Sequence, residues 1–399
     1  MQRIFQQASV DLSNGFLPGT RPVTKLPDNS EYHKRLNDII SNLPTLIKEK
    51  LLRKTIDDLD KEFVNAELSL EKGNKAQKNT AIMFIVAIAQ GYIFEDTKNP
   101  ANIIPAVIAK NLYLLCKSRQ RFPMITYADY VLNNWRMKNP CGEITLDNIE
   151  PIFTFTGTTD EAWFIKIHVA IESACGQALR AAEATYLEAK NSAPDTKKMS
   201  SALTAIAESL QKAIDVMHEM KTGCNPDTFW DIMRPYLSGW DKIKATGSDD
   251  LGVKFAGIRT KDTKPFDFTG PSGAQSSIVP ALDNALRIKH EIDGMFKLLL
   301  KFKEYMPNDH QAFIAHFSDS KIKTVVYKSG SPTLIDAFKS AIDAVQKMRG
   351  AHLGLVHQYI YKTAGARGIP AHVITGTGGA PIDGYLAGRY EDTLKVKKV

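Results

Sequence analysis

A histidine set into a line of apolar residues is the first place in this sequence where chemistry could reside. Val345, Met348, His352, Val356 and Tyr359 recur at steps of three or four, the spacing of one helical face. His352 therefore points where its apolar neighbours point. A buried imidazole needs partners for its ring nitrogens. A carbonyl or carboxylate would make it a satisfied core residue, and a metal would make it a ligand; one histidine on one face fits both. A second histidine, His168, lies four residues after Phe164 and four before Glu172, again on one helical face. Phe229 and Arg234 place an aromatic ring near a planar cationic fork, a pairing that suits a flat ring carrying a carboxylate. They are five residues apart, which is not a helical step. They need a bend to face one pocket, and Pro235 after Arg234 gives a reason for one.

The elements that must hold these residues are helical. The His352 helix has a start signal at Ser331-Pro332, an N-cap residue followed by proline at the first helical position. Apolar spacing predicts helices over Glu31–Phe63 with an interruption near Pro44, over Thr80–Phe94, Ala101–Leu115 and Thr126–Met137, and over Asp160–Asn191 as one long run. Further helices are expected at Asp195–Lys221, Asp227–Leu237, Ile278–Tyr305 and Asn308–Phe317. Pro151–Thr159 looks like a linker, and Gly247–Ser277 looks like a loop. Gly365–Gly384, with six glycines and two prolines, cannot be a long helix. The fold class expected is all-α. A small helical N-terminal domain, 1–153, would cap a large helical domain, 154–399.

Composition narrows the function classes. The chain of 399 residues is 43% hydrophobic and 24% charged, which suits a soluble globular protein with a large core. A formal charge of +7 is modest for this length, and basic and acidic residues alternate, as in Lys48–Phe63. That is a solvated helix face rather than a nucleic-acid groove. The longest apolar stretch, Ala81–Ala89, is about half of a membrane span. The N-terminus lacks the apolar run of a secretory signal. The four cysteines, Cys116, Cys141, Cys175 and Cys224, lack metal-site spacing. Reduced thiols and a cytoplasmic location are expected, with neither a nucleic-acid nor a membrane partner.

An all-α core with an inward histidine suits a haem, a flat apolar disc held by one neutral imidazole. Specific motifs point the same way. In chain order, YADYVLNNW (Tyr127–Trp135), RPYLSGW (Arg234–Trp240), GPSGAQSS (Gly270–Ser277), RGAHLGLV (Arg349–Val356) and GTGG (Gly376–Gly379) resemble the indoleamine 2,3-dioxygenase family of haem enzymes. The resemblance runs from about Phe122 to Leu386, and the first 120 residues match more weakly. It implies haem b as cofactor, O2 as co-substrate, and insertion of both oxygen atoms across the indole C2–C3 bond of L-tryptophan or a related indole. It also implies an electron donor that reduces ferric haem.

Carried over position by position, the resemblance makes His352 the iron ligand and Asp283 a carboxylate behind it. Arg349 would pair with a haem propionate. Phe229 would pack on the indole, Arg234 would grip the substrate carboxylate, and Tyr127 and Phe164 would line the pocket. Ser272 would lie close above the haem, in a loop where Gly270 and Gly273 let the main chain approach. Thr377 would end a mobile loop over the substrate.

His168 departs from the family's animal enzymes, which have serine there, and is similar to the distal histidine of tryptophan 2,3-dioxygenases. It would contact the indole N–H, bond O2 or serve as an acid–base group. Tyr130 stands where a smaller residue is common, and GPSG replaces a GGSA-like sequence. Two other outcomes remain open on the same scaffold. One is transfer of a single oxygen atom or a rearrangement of a tryptophan-derived substrate. The other is a non-catalytic haem carrier or sensor.

Overall fold

The computed structural model describes residues 10–63, 73–244, 249–258, 265–290, 294–370, 373–376 and 385–396. Helix α1 (Glu31–Ser41) begins at Ser30, whose side chain accepts from the His33 amide. The expected interruption near Pro44 is present: a new short helix, Leu43–Lys48, starts with Pro44 in its first turn. Helix α2 (Lys75–Phe94) opens with a capping box between Asn74 and Gln77 and is buried on all sides. One polar residue in its apolar second half, Gln90, is fully buried. Its side-chain amide donates to the carbonyls of Tyr236 and Ser238 at 2.9 Å and accepts from the Trp240 indole at 3.0 Å. That anchors the Tyr-Leu-Ser-Gly-Trp motif to the N-terminal part of the chain. Helix α3 (Ala106–Ser118) packs on α2.

Where the sequence suggests one helix over Asp160–Asn191, the structure has two, α4 (Thr159–Ala174) and α5 (Gly176–Glu188). The cause is at Gly176. A Cβ there would lie 2.8 Å from the Gly15 amide nitrogen and from the carbonyl oxygens of Leu12 and Ser13. The N-terminal segment crosses over the junction, and only glycine admits it. Helix α6 (Thr196–His218) starts at Asp195, which caps the amides of Lys197 and Lys198. The expected helix Ile278–Tyr305 is also divided. Helix α7 (Ile278–Leu286) stops where Arg287 turns left-handed at φ 60°, and a separate helix covers Gly294–Glu304.

Helix α8 (Pro332–Val356) begins at the predicted Ser331 cap and packs along α6. Helix α9 (Tyr385–Lys395) lies against α8, and α4 and α5 complete the layer around α6. Strand structure is slight. Ile103–Ile104 pairs in parallel with Lys254–Phe255, and Arg136–Met137 pairs with Ile149–Glu150 in an antiparallel ladder. The expected helix Thr126–Met137 is thus only a wide turn, Ala128–Leu132, followed by a strand. Asn134 ends it, because its buried side chain bonds the main chain of Ile152 and Phe153. The fold class is all-α, as expected. Among the described residues, no helix is long and apolar enough to cross a membrane.

Candidate active site

Helix α4 carries the first wall of the site. Phe164, His168 and Glu172 stand one turn apart, with the Phe164 and His168 ring centroids separated by 4.3 Å. The His168 Nδ1 lies 2.8 Å from the Phe164 carbonyl oxygen. A carbonyl can only accept, so Nδ1 carries the proton and Nε2 keeps its lone pair. Among the described residues Nε2 has no protein partner. Burial lowers the His168 pKa to about 4, with the nearby His352 adding to the effect against the opposing Phe164 bond. The ring is therefore a neutral acceptor at physiological pH.

Phe229 and Arg234 meet by the bend their spacing required. Phe229–Met233 forms a single π-helical turn, closed by the Arg234 amide donating to the Phe229 carbonyl. That five-residue step puts the two residues on one side. Pro235, which has no amide to offer, then tightens the chain into Arg234–Leu237. Phe229 stacks near Phe164 at 5.5 Å, and its edge meets Tyr359 at 5.8 Å. The Arg234 guanidinium lies 4.2 Å from the Trp230 ring and donates from Nη2 to the Thr375 carbonyl. Its Nε is buried without a partner among the described residues, and burial lowers its pKa. Thr377 lies outside the described residues.

The third wall is tied to the first two through Glu172, which the sequence places in line with His168 but assigns no role. Glu172 accepts from the Tyr127 hydroxyl at 3.1 Å and from the Ser276 hydroxyl at 2.8 Å. Its other oxygen is buried without a hydrogen-bond partner among the described residues, and burial raises its pKa to about 7. Gln275, also passed over as a site residue, joins the same walls. Its oxygen accepts from the Tyr127 amide and its nitrogen donates to the Gly270 carbonyl. Ser272 caps the short turn Gly273–Gln275, accepting from the Ala274 amide. A Cβ on Gly273 would meet nothing within 4 Å, so the loop borders open space there. Gly239 lets the loop close on the Tyr-Leu-Ser-Gly-Trp motif, since a Cβ would lie 2.7 Å from the Gly270 nitrogen. Tyr130 is buried and donates to Glu161 at 3.0 Å, with its ring 6.4 Å from Phe164.

His352 stands close enough to His168 to act on its charge. Val345, Met348 and Tyr359 on its line are buried, as the spacing predicts. His352 itself is open to space, although the surrounding protein disfavours its charged form and lowers its pKa. Its ring has no hydrogen-bond partner among the described residues, so the carbonyl-bonded core histidine is not what the fold builds here. Two residues on, a Cβ on Gly354 would also meet nothing within 4 Å.

Behind this face the charges are fully engaged. Arg349 Nη2 reaches both oxygens of Asp283, at 2.8 and 2.6 Å, and Nη1 donates to Thr393 at 2.6 Å. His290 bridges Asp283 at 2.8 Å and Asp392 at 3.3 Å. Burial would raise the Asp283 pKa, but Arg349 and His290 outweigh it and hold the carboxyl below its usual value. The resemblance set Arg349 on a propionate and Asp283 behind His352. In the structure these two residues bond each other, and Asp283 makes no hydrogen bond to His352. His290 belongs to the same chain of charges and has no signal in the sequence, because its partners are 7 and 102 residues away.

The site therefore has one imidazole that is open to space, has no hydrogen-bond partner among the described residues, and is close enough to His168 to act on its charge. Among the described residues no group of three or more His, Cys, Asp or Glu could hold a metal ion. That donor set suits a metal brought inside its own macrocycle and needing one axial ligand, and it fits a haem. A family model for indoleamine 2,3-dioxygenase matches residues 5–372. The chain belongs to the indoleamine 2,3-dioxygenase family. The match takes in most of the first 120 residues, which sequence motifs alone tied only weakly to it.

Indoleamine 2,3-dioxygenase 1 of Rattus norvegicus is 28% identical, over 99% of this chain and 96% of its own length. The Mus musculus protein of the same name is 30% identical over 90% of this chain and 86% of its length. A protein named myoglobin, from Haliotis madaka, is 26% identical over 94% of this chain and 93% of its length. Family members are haem-dependent dioxygenases acting on indoles, so this chain is an oxidoreductase of that type.

Proposed function

We propose that this family member cleaves L-tryptophan, inserting both atoms of O2 across the indole C2–C3 bond to give an N-formylkynurenine-type product. The observation that supports the reading is a His352 imidazole with no hydrogen-bond partner among the described residues, close enough to His168 to act on its charge. It is joined by a near-parallel pair of rings (Phe164 and Phe229), an Arg234 whose Nε has no partner among the described residues, and an acceptor nitrogen (His168 Nε2). Haem b bound through His352 would supply the activation of O2. The protein's own residues would bind and orient. Phe164 and Phe229 offer one aromatic wall to the indole, and Tyr127, fixed by Glu172, offers another side. Arg234 holds the substrate carboxylate by a charge-assisted bond. His168 Nε2 accepts the indole N–H, which fixes which ring edge faces the haem. Neither histidine needs to donate a proton. Ser272 and the glycines beside it border the same space and would limit water there, and Thr377 would close it. Residues 1–153 would act as the cap, holding the Tyr236–Trp240 motif through Gln90.

The test is mass analysis of the product formed from L-tryptophan by haem-loaded, reduced protein under 18O2. Incorporation of two labelled atoms is expected. One labelled atom would favour a monooxygenase. A second reading, a haem protein without turnover, is supported by the likeness to the Haliotis myoglobin over nearly the whole chain. Reversible O2 binding with no product would favour it.

A further inference from the structure

Next to the Asp283–His290–Asp392 chain, an open cleft of about 760 Å³ is cut into the surface. Its lining is strongly cationic, with Arg287, Lys289, Lys323 and Lys328 all facing it. Asp392 is the carboxylate that faces them, and it is already bonded to His290 at 3.3 Å and to Arg389 at 3.1 Å. Among the described residues none of the four cations has an ion-pair partner. Like charges gathered in one concavity repel each other and raise the local concentration of anions.

Two details show that the cleft is built and not a chance roughness. The Lys323 Nζ lies 5.9 Å over the Tyr327 ring, with both residues on the cleft wall, which holds the ammonium at the cleft. Arg287 holds a left-handed backbone at φ 60°, where glycine or asparagine would be less strained. Its Nη1 donates to the Ser318 carbonyl at 2.8 Å, which fixes the guanidinium in place.

The volume falls in the range of small-molecule sites, roughly 300–1,000 Å³, and is too small for a folded partner. Four cations exceed what a single carboxylate would need. A chain of phosphates carries several charges and several acceptor oxygens, and matches the four gathered cations. We propose that this cleft binds a linear oligophosphate, either inorganic or the tail of a nucleoside triphosphate.

The experiment is calorimetric titration of the full-length protein with inorganic tripolyphosphate and, separately, with ATP, at one fixed ionic strength. Binding is read directly and requires no turnover, so the result is independent of the reaction proposed above. Wild-type protein should bind saturably. Lys323→Gln/Lys328→Gln should bind about tenfold more weakly, the loss expected for charge-assisted contacts at a partly exposed site. Lys197→Gln/Lys198→Gln, on the exposed start of α6, should bind as wild type does. Equal affinity for the two probes identifies the phosphate chain as the ligand, and tighter ATP binding adds the nucleoside. Absence of saturable binding of either probe at millimolar concentration would overturn the proposal. So would an affinity that the cleft substitutions leave unchanged.

Discussion

The two faces of the site are built on opposite principles. Behind His352 lies a long regular helix and a chain of charges in which each group has partners: Arg349, Asp283, His290, Asp392. On the other face the chain leaves regular helix at Ala128–Leu132 and Phe229–Met233, and polar atoms are without partners among the described residues. His168 Nε2, Arg234 Nε and the second oxygen of Glu172 are the examples. A satisfied network makes a rigid support, whereas an unsatisfied one is costly until a ligand completes it. The difference teaches where to look for a ligand: one face is made to hold still, and the other to be finished by what binds.

The contrast is broken most severely by removing the support. Asp283→Ala leaves Arg349 and His290 buried without their carboxylate, and breaking such a pair costs roughly 3–5 kcal/mol. Thermal or denaturant unfolding should show that loss even without haem. A change under about 1 kcal/mol would mean that the charges behind His352 are not a structural support.

On the other face, removing Arg234 or His168 should spare stability and affect binding. Arg234→Leu removes a charge-assisted contact of roughly 2–3 kcal/mol, so L-tryptophan should bind about thirtyfold or more weakly. Indole, lacking a carboxylate, should bind almost as before. Equal loss for both ligands in spectral titrations would make Arg234 structural.

His168→Ala should weaken L-tryptophan about fivefold through loss of one neutral hydrogen bond, and leave 1-methyl-tryptophan unaffected. Equal loss of turnover for both, with haem retained, would place His168 with oxygen or pocket shape instead.

Glu172→Gln acts on pH dependence rather than on affinity. The Glu172 pKa is raised from 4.5 to about 7 by burial. The folded state then holds more protons than the unfolded one in that window, so this contribution falls as pH rises and is gone above about pH 7. Glutamine removes the titration. Relative to wild type, Glu172→Gln should gain up to about 1.4 kcal/mol per pH unit across the window. A constant difference from pH 5 to pH 8 would show that Glu172 does not titrate there.

Local signals made much of the fold legible. The Ser331-Pro332 start of α8, the break at Pro44 and the beginning of α6 beside Asp195 rest on neighbours in sequence, and all are present. What local signals could not give came from distant backbone. The division of α4 from α5 depends on Leu12, Ser13 and Gly15 lying against Gly176. The early end of the Tyr127 segment depends on Asn134 reaching Phe153. In the site, the five-residue spacing of Phe229 and Arg234 announced a distortion, and the π-helical turn is that distortion. The roles of Glu172, Gln275 and His290 were hidden, because each acts through partners far away in the chain. The Arg349–Asp283 pair was hidden for the same reason.

The central claim is that the open space before His352 takes a haem on that imidazole. The direct measurement is haem titration of wild-type protein and of His352→Ala, followed by gel filtration and absorption spectroscopy, with helix content checked by circular dichroism. The account predicts that wild type retains a Soret band through the column. His352→Ala should keep its helix content, lose nearly all of its haem, and recover the band when free imidazole is added. A His352→Ala protein that retains haem with an unchanged Soret band would contradict the account.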